Sequence, residues 1–122
     1  MKALKYKIIL SEIKDYLFYL LRSKRYNLLK GGSMNYHITH IRLSDHFSSS
    51  PSKITHVKLE GGTIETTAEV AYFIDIGCHY SYTNKAGQKL SVGSVHPMNR
   101  TPYIHTRKRV TSPDELLFLP LF

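Results

Sequence analysis

The sequence predicts an α+β domain: one small antiparallel sheet of about five strands, ordered ββα-βββ, with one helix packed on a face and an amphipathic helical arm ahead of it. Three observations carry this. Apolar residues recur at spacings of three and four up to about residue 30, and at spacings of two from Tyr36 onward. The pattern Ile38-Thr39-His40-Ile41-Arg42-Leu43 returns sixteen positions later as Ile54-Thr55-His56-Val57-Lys58-Leu59. The stretch from Thr66 to Gly77 carries the start and stop signals of one short helix.

The arm comes first. Ile9, Ile13, Tyr16, Leu17, Leu20 and Leu21 form the stripe of an amphipathic helix, Ser11 can cap a start, and Gly31-Gly32 ends it. Charge concentrates here. The whole chain of 122 residues has 17 Lys+Arg against 9 Asp+Glu. Residues 1–33 hold eight of those bases and two of the acids, a net +6, which leaves +2 for residues 34–122. The chain therefore divides into a basic arm, 1–33, and a nearly balanced α+β domain, 34–122. A basic appendage is a weaker nucleic-acid signal than a basic domain face, because arms also serve membranes and partners. The longest uncharged run of the arm, Tyr16 to Leu21, is six residues, against about 20 for a membrane span. Glu12, Lys14 and Asp15 interrupt what a secretory signal would keep apolar, so the expected location is cytoplasmic. Lys30-Gly31-Gly32-Ser33-Met34 also matches what a purine-rich ribosome-binding sequence ahead of an ATG would encode. On that expectation Met34 is the start, and residues 1–33 are not part of the native product.

The two echoed segments are strands. Alternation places Ile41 with Leu43, and Val57 with Leu59, on one face, and His40 with Arg42, and His56 with Lys58, on the other. Asp45, the serines and Pro51 between them are loop chemistry, so the pair forms a hairpin. After the turn Glu60-Gly61-Gly62-Thr63, Thr66 or Thr67 caps a helix of about ten residues; with Thr66 as the cap, Glu69 takes the capping-box position, and Gly77 is the stop. His79 to Thr83, Lys89 to Val95 and Tyr103 to Thr106 follow as a three-strand meander with polar turns between them. The stretch from Ser112 to Pro120 predicts a capped short turn whose apolar residues fold back on the core.

On Ile54-Thr55-His56-Val57-Lys58-Leu59, the threonine-capped helix ending at Gly77, Thr101-Pro102-Tyr103-Ile104-His105-Thr106 and the segment from Asp114 to Pro120, the body resembles a small bacterial family, domain of unknown function 3892. The resemblance covers about residues 36–122. Members usually carry an Asn-Leu pair where this chain has Glu115-Leu116. It implies a compact bacterial or phage-borne domain and transfers no activity to particular residues.

No convergent catalytic set is visible. One cysteine excludes a disulfide framework and a finger-type zinc site. His40, His56 and His105 are the candidates for a metal, since three imidazoles on neighbouring strands suit zinc, but each alternates with Arg or Lys and no acidic ligand accompanies them. Cys78 and His79 are adjacent strand positions that point apart, which argues against a Cys-His nucleophile. The other cluster is Tyr80, Tyr82, Tyr103 and His105 with Arg107, Lys108 and Arg109, aromatics and bases that can stack and clasp single-stranded nucleic acid. The leading expectation is a non-enzymatic binding or accessory module, without cofactor, acting on a protein partner through the face or edge of its sheet. The alternative is single-stranded nucleic-acid binding through the Tyr and Arg/Lys residues; a His-based metal protein or hydrolase ranks last.

Overall fold

The computed structural model describes residues 34–45, 50–107 and 113–122, all within one compact unit, Met34–Phe122. The expected helical arm, Lys108 and Arg109 lie outside the described residues. The chain runs through β1 (Asn35–Leu43), a 3-10 turn (Pro51–Lys53), β2 (Ile54–Leu59), β3 (Ile64–Thr66) and α1 (Thr67–Asp75). It continues through β4 (His79–Thr83), β5 (Lys89–Val95), β6 (Tyr103–Thr106) and a second 3-10 turn (Glu115–Phe118). The fold is α+β: a six-stranded sheet in the order β3-β2-β1-β4-β5-β6 with one helix packed on it.

Two features differ from the expected five-stranded antiparallel sheet. The extra strand is β3, whose three residues are too few for alternation to show in sequence; it pairs with β2 across the Glu60–Thr63 turn, where Gly61 and Gly62 both adopt φ +98°. The sheet is also mixed, because β1 and β4 are parallel over Asn35–His37. β3 runs in the direction of β1, and α1 carries the chain back across the sheet, so the next strand must start at the same end.

The helix has the predicted ends. Thr66 Oγ1 accepts from Glu69 N at 3.2 Å and Glu69 Oε2 accepts from Thr66 N at 3.4 Å, closing a capping box. At the other end Cys78 N donates to Phe73 O and Gly77 N to Ile74 O, a Schellman motif that needs the φ of +110° at Gly77. Val70, Ala71 and Phe73 bury on the sheet against Ile38, Ile41, Val57, Tyr80, Tyr82, Val92 and Ile104. The closing 3-10 turn is capped by Asp114 and drives Leu116 into the same core, as expected of that segment.

The hairpin departs from simple alternation in a symmetric way. Ile38 and Ile41 are both fully buried although three positions apart, and so are Ile54 and Val57. Each strand gains a residue: the β1–β2 register shifts between Ile38 and His40 and again between Arg42 and Leu43. Thr39-His40 thus stands opposite Lys58, and Thr55-His56 opposite Arg42. The same bonds form twice. Thr39 Oγ1 donates to Lys58 O and Thr55 Oγ1 to Arg42 O, both at 3.2 Å. His40 Nδ1 meets Thr39 Oγ1 at 2.8 Å, and His56 Nδ1 meets Thr55 Oγ1 at 2.9 Å. The sequence echo is therefore a pair of matching β-bulges.

Candidate functional site

Ser94 Oγ donates to Asp75 Oδ1 at the end of α1 at 2.6 Å, which fixes the face of β5 that meets the helix. Register carries that face across the meander through Tyr80, Tyr82, Val92, Ile104 and Thr106. The alternate residues point away from α1 and make up a distal face. There His37 pairs with Ser81, and Ser81 with Ser91. His37 Nδ1 lies 3.4 Å from Ser81 Oγ and its Nε2 lies 3.3 Å from Thr83 Oγ1, so the ring bridges two hydroxyls of β4.

Gly93 pairs with His105 on this face. A Cβ at Gly93 would meet His105 Nε2 at 3.1 Å and Arg107 Nε at 3.5 Å, so the missing side chain is the space in which both lie. The bulged hairpin extends the surface with His40, Arg42, His56 and Lys58.

Charge is sorted by face even though it is nearly balanced in number. Among the described strand residues the only side-chain carboxylate is Glu65, and it is buried on the helix side, where it accepts from Tyr80 Oη at 2.7 Å. The other described carboxylates sit on turns and on the helix. The distal face carries Arg42, Lys58 and Lys89 with five of the seven histidines. Such a face attracts anionic groups.

The structure separates the residues singled out in the sequence. Tyr103, His105 and Arg107 follow one another at alternate positions on the distal face, half-buried to exposed. Tyr80 and Tyr82 do not join them, which corrects their assignment as binding residues. They are 2% and 0% exposed, and Tyr82 Oη reaches Thr106 Oγ1 at 2.5 Å, so neither ring offers a face to a base. Tyrosine in a strand fits either side, and here inward hydroxyl partners decide it.

His40 and His56 are diagonal neighbours rather than directly opposed, and β4 and β5 stand between β1 and the strand that carries His105. The three imidazoles are not brought together. Among the described residues, no group of three or more His, Cys, Asp or Glu is arranged to hold a metal ion.

Cys78 is buried and His79 exposed, so the neighbours diverge. Asp75 joins Ser94 to His96, whose Nε2 lies 2.6 Å from Asp75 Oδ2. A nucleophilic serine needs the imidazole beside it as base. Here the carboxylate occupies the middle position and the serine proton goes to it, so the trio ties the helix end to the β5–β6 turn.

Alternation alone could not reveal Arg42 and Lys58 as partners of the two Thr-His bulges. The signal was present in the echo: an isoleucine three positions before the next buried aliphatic, in both copies, violates a period of two. Among the described residues no helix is long and apolar enough to cross a membrane. No family model, curated protein or solved structure matches the chain.

Proposed function

We propose that this chain is a non-enzymatic binding module that engages an acidic protein partner through the distal face of its sheet. The observation that supports it most is the sorting of charge: imidazoles, hydroxyls and cations on a strand surface whose described strand residues carry no outward carboxylate side chain. A face is favoured over an edge. β3 has three residues, and on β6 the outward amide of Thr106 is taken by Asp114 Oδ2 at 3.0 Å, which blunts that edge to strand addition. Protein is favoured over single-stranded nucleic acid because Tyr80 and Tyr82 are spent in the core, leaving no row of stacking rings. The lone described thiol is buried, in keeping with a reducing, cytoplasmic setting.

The test uses the full chain as bait beside two variants. Ser91→Glu/Arg107→Glu adds one carboxylate and reverses one charge at exposed positions of the distal face, and Ile76→Glu alters an exposed position at the helix end. A partner held by the native chain and by Ile76→Glu but lost by the distal-face variant is the expected result. Loss only in Ile76→Glu overturns the choice of face. A salt-sensitive gel shift with single-stranded oligonucleotide, in the absence of any protein partner, replaces this reading with the nucleic-acid one.

A further inference from the structure

Three nitrogen-bearing side chains surround the one position of β5 that has no side chain. Gly93 pairs with His105 on β6, and the β4–β5 register carried one step past Tyr80 and Val92 sets His79 on its other side. A glycine inside a strand weakens it and calls for a reason. Backbone conformation is not the reason, because Gly93 is not among the glycines with positive φ. Space is. His105 Nε2 and Arg107 Nε both lie within contact distance of the point where a Cβ would stand, and Gly93 is buried.

The gap thus draws an imidazole and a guanidinium together over bare backbone. Arg107 is charged at any physiological pH, and among the described residues no carboxylate pairs with it. Asp114, the nearest in sequence, receives Thr106 N, the Thr106 hydroxyl and Leu116 N. Asp75 holds Ser94 and His96. Phe122 lies against β1, with β4 and β5 between it and β6. Arg107 N donates to Ser91 O at 2.8 Å, which sets the exposed Ser91 opposite Arg107 on the same face.

We propose that the Gly93 gap is an oxyanion seat, in which Arg107 and His105, flanked by Ser91 and His79, take one carboxylate or phosphoryl group of the acidic partner. This rests on the distal-face reading above and narrows it to one position. Arg107 supplies charge-assisted hydrogen bonds through its terminal N–H groups. Ser91 adds a hydroxyl donor, and His105 donates through Nε2 in the tautomer that the anion selects.

The experiment titrates the full chain by calorimetry with a short polyglutamate peptide, a phosphoserine peptide and a single-stranded oligonucleotide. Gly93→Val keeps every charge but fills the gap, and is expected to weaken peptide binding about tenfold or more. Arg107→Gln is expected to do the same. Lys85→Gln removes an equal charge on the exposed β4–β5 turn, outside the distal face, and is expected to bind as the native chain does. Whichever peptide binds more tightly identifies the source of the oxyanion. Normal binding by Gly93→Val overturns the seat, and loss in Arg107→Gln beside it leaves the distal-face reading standing. Equal loss in Lys85→Gln makes binding follow net charge and overturns both. A native chain that binds neither peptide overturns the seat, and the partner capture above then judges the face alone. Binding of the oligonucleotide alone overturns the choice of an acidic peptide. Circular dichroism melts separate loss of binding from loss of fold. Should Gly93→Val not fold, Gly93→Ala replaces it, since its single Cβ meets only flexible side-chain atoms.

Discussion

At Tyr82 the ring fills the core while its hydroxyl donates to Thr106 Oγ1, which in turn donates to Asp114 Oδ1 at 2.5 Å. The same carboxylate receives Thr106 N and Leu116 N, so one acid holds the end of β6 and the start of the closing turn. Replacing Thr106 with valine removes the hydroxyl that receives the buried phenol and that binds Asp114, a cost of about 1–3 kcal/mol. Tyr82→Phe removes the phenol and costs about 1 kcal/mol. The double variant is expected to cost less than the two separately, because the stranded hydroxyl is gone. Urea unfolding of the four proteins measures this coupling; additivity within about 0.5 kcal/mol would show that the chain of hydroxyls is energetically slack.

Among the elements, α1 depends most on its ends. Nine residues are too few for a helix to persist alone, so capping and the sheet must hold it. Thr66→Ala is expected to cost about 1 kcal/mol, and Thr66→Ser to restore most of it. Gly77→Ala is expected to cost a similar amount, since φ +110° strains any side chain. For a domain of this size each kcal/mol is about 4–8 °C of melting temperature, well within reach of a thermal scan.

This helix was fully legible because its signals are local: a cap, a glutamate three positions on, a glycine. The hairpin, the meander and the capped closing turn were legible for the same reason. The parallel β1–β4 pair was not, because it depends on where a helix delivers the chain. The inward turn of Tyr80 and Tyr82 was not, because Glu65 and Thr106 that receive them lie on other strands. Of the candidate face, Tyr103, His105 and Arg107 were visible as an alternating run, whereas the Arg42 and Lys58 corner required the bulges.

On the scale of the whole molecule, and among the described residues, the buried hydrophobic set from Ile38 to Leu116 comes from the strands, α1, the Cys78 link and the closing turn. Removing residues 1–33 is therefore expected to leave a cooperative fold and to change stability by at most about 2 kcal/mol. The net charge drops from +8 to +2 with that deletion, so any oligonucleotide affinity that disappears with it belongs to the arm. Thermal melts of both lengths at equal concentration, with sizing, decide the point. A molten or insoluble product would make residues 1–33 part of the fold.

Among the described strands, the central one, β1, is also the earliest made. β2 reaches β1 almost at once, but on its other side β1 waits for Ser81, 44 positions after His37, and then for Leu121, which bridges Ile41. A ribosome that delivers the chain in order leaves that side of β1 open for most of synthesis, with Ile38 and Ile41 uncovered. Unpaired strand edges invite association between nascent chains. On β1 itself, the Thr39-His40 bulge and the outward charge of Arg42 interrupt a flat, neutral edge during that interval, the kind of break that keeps nascent edges from pairing.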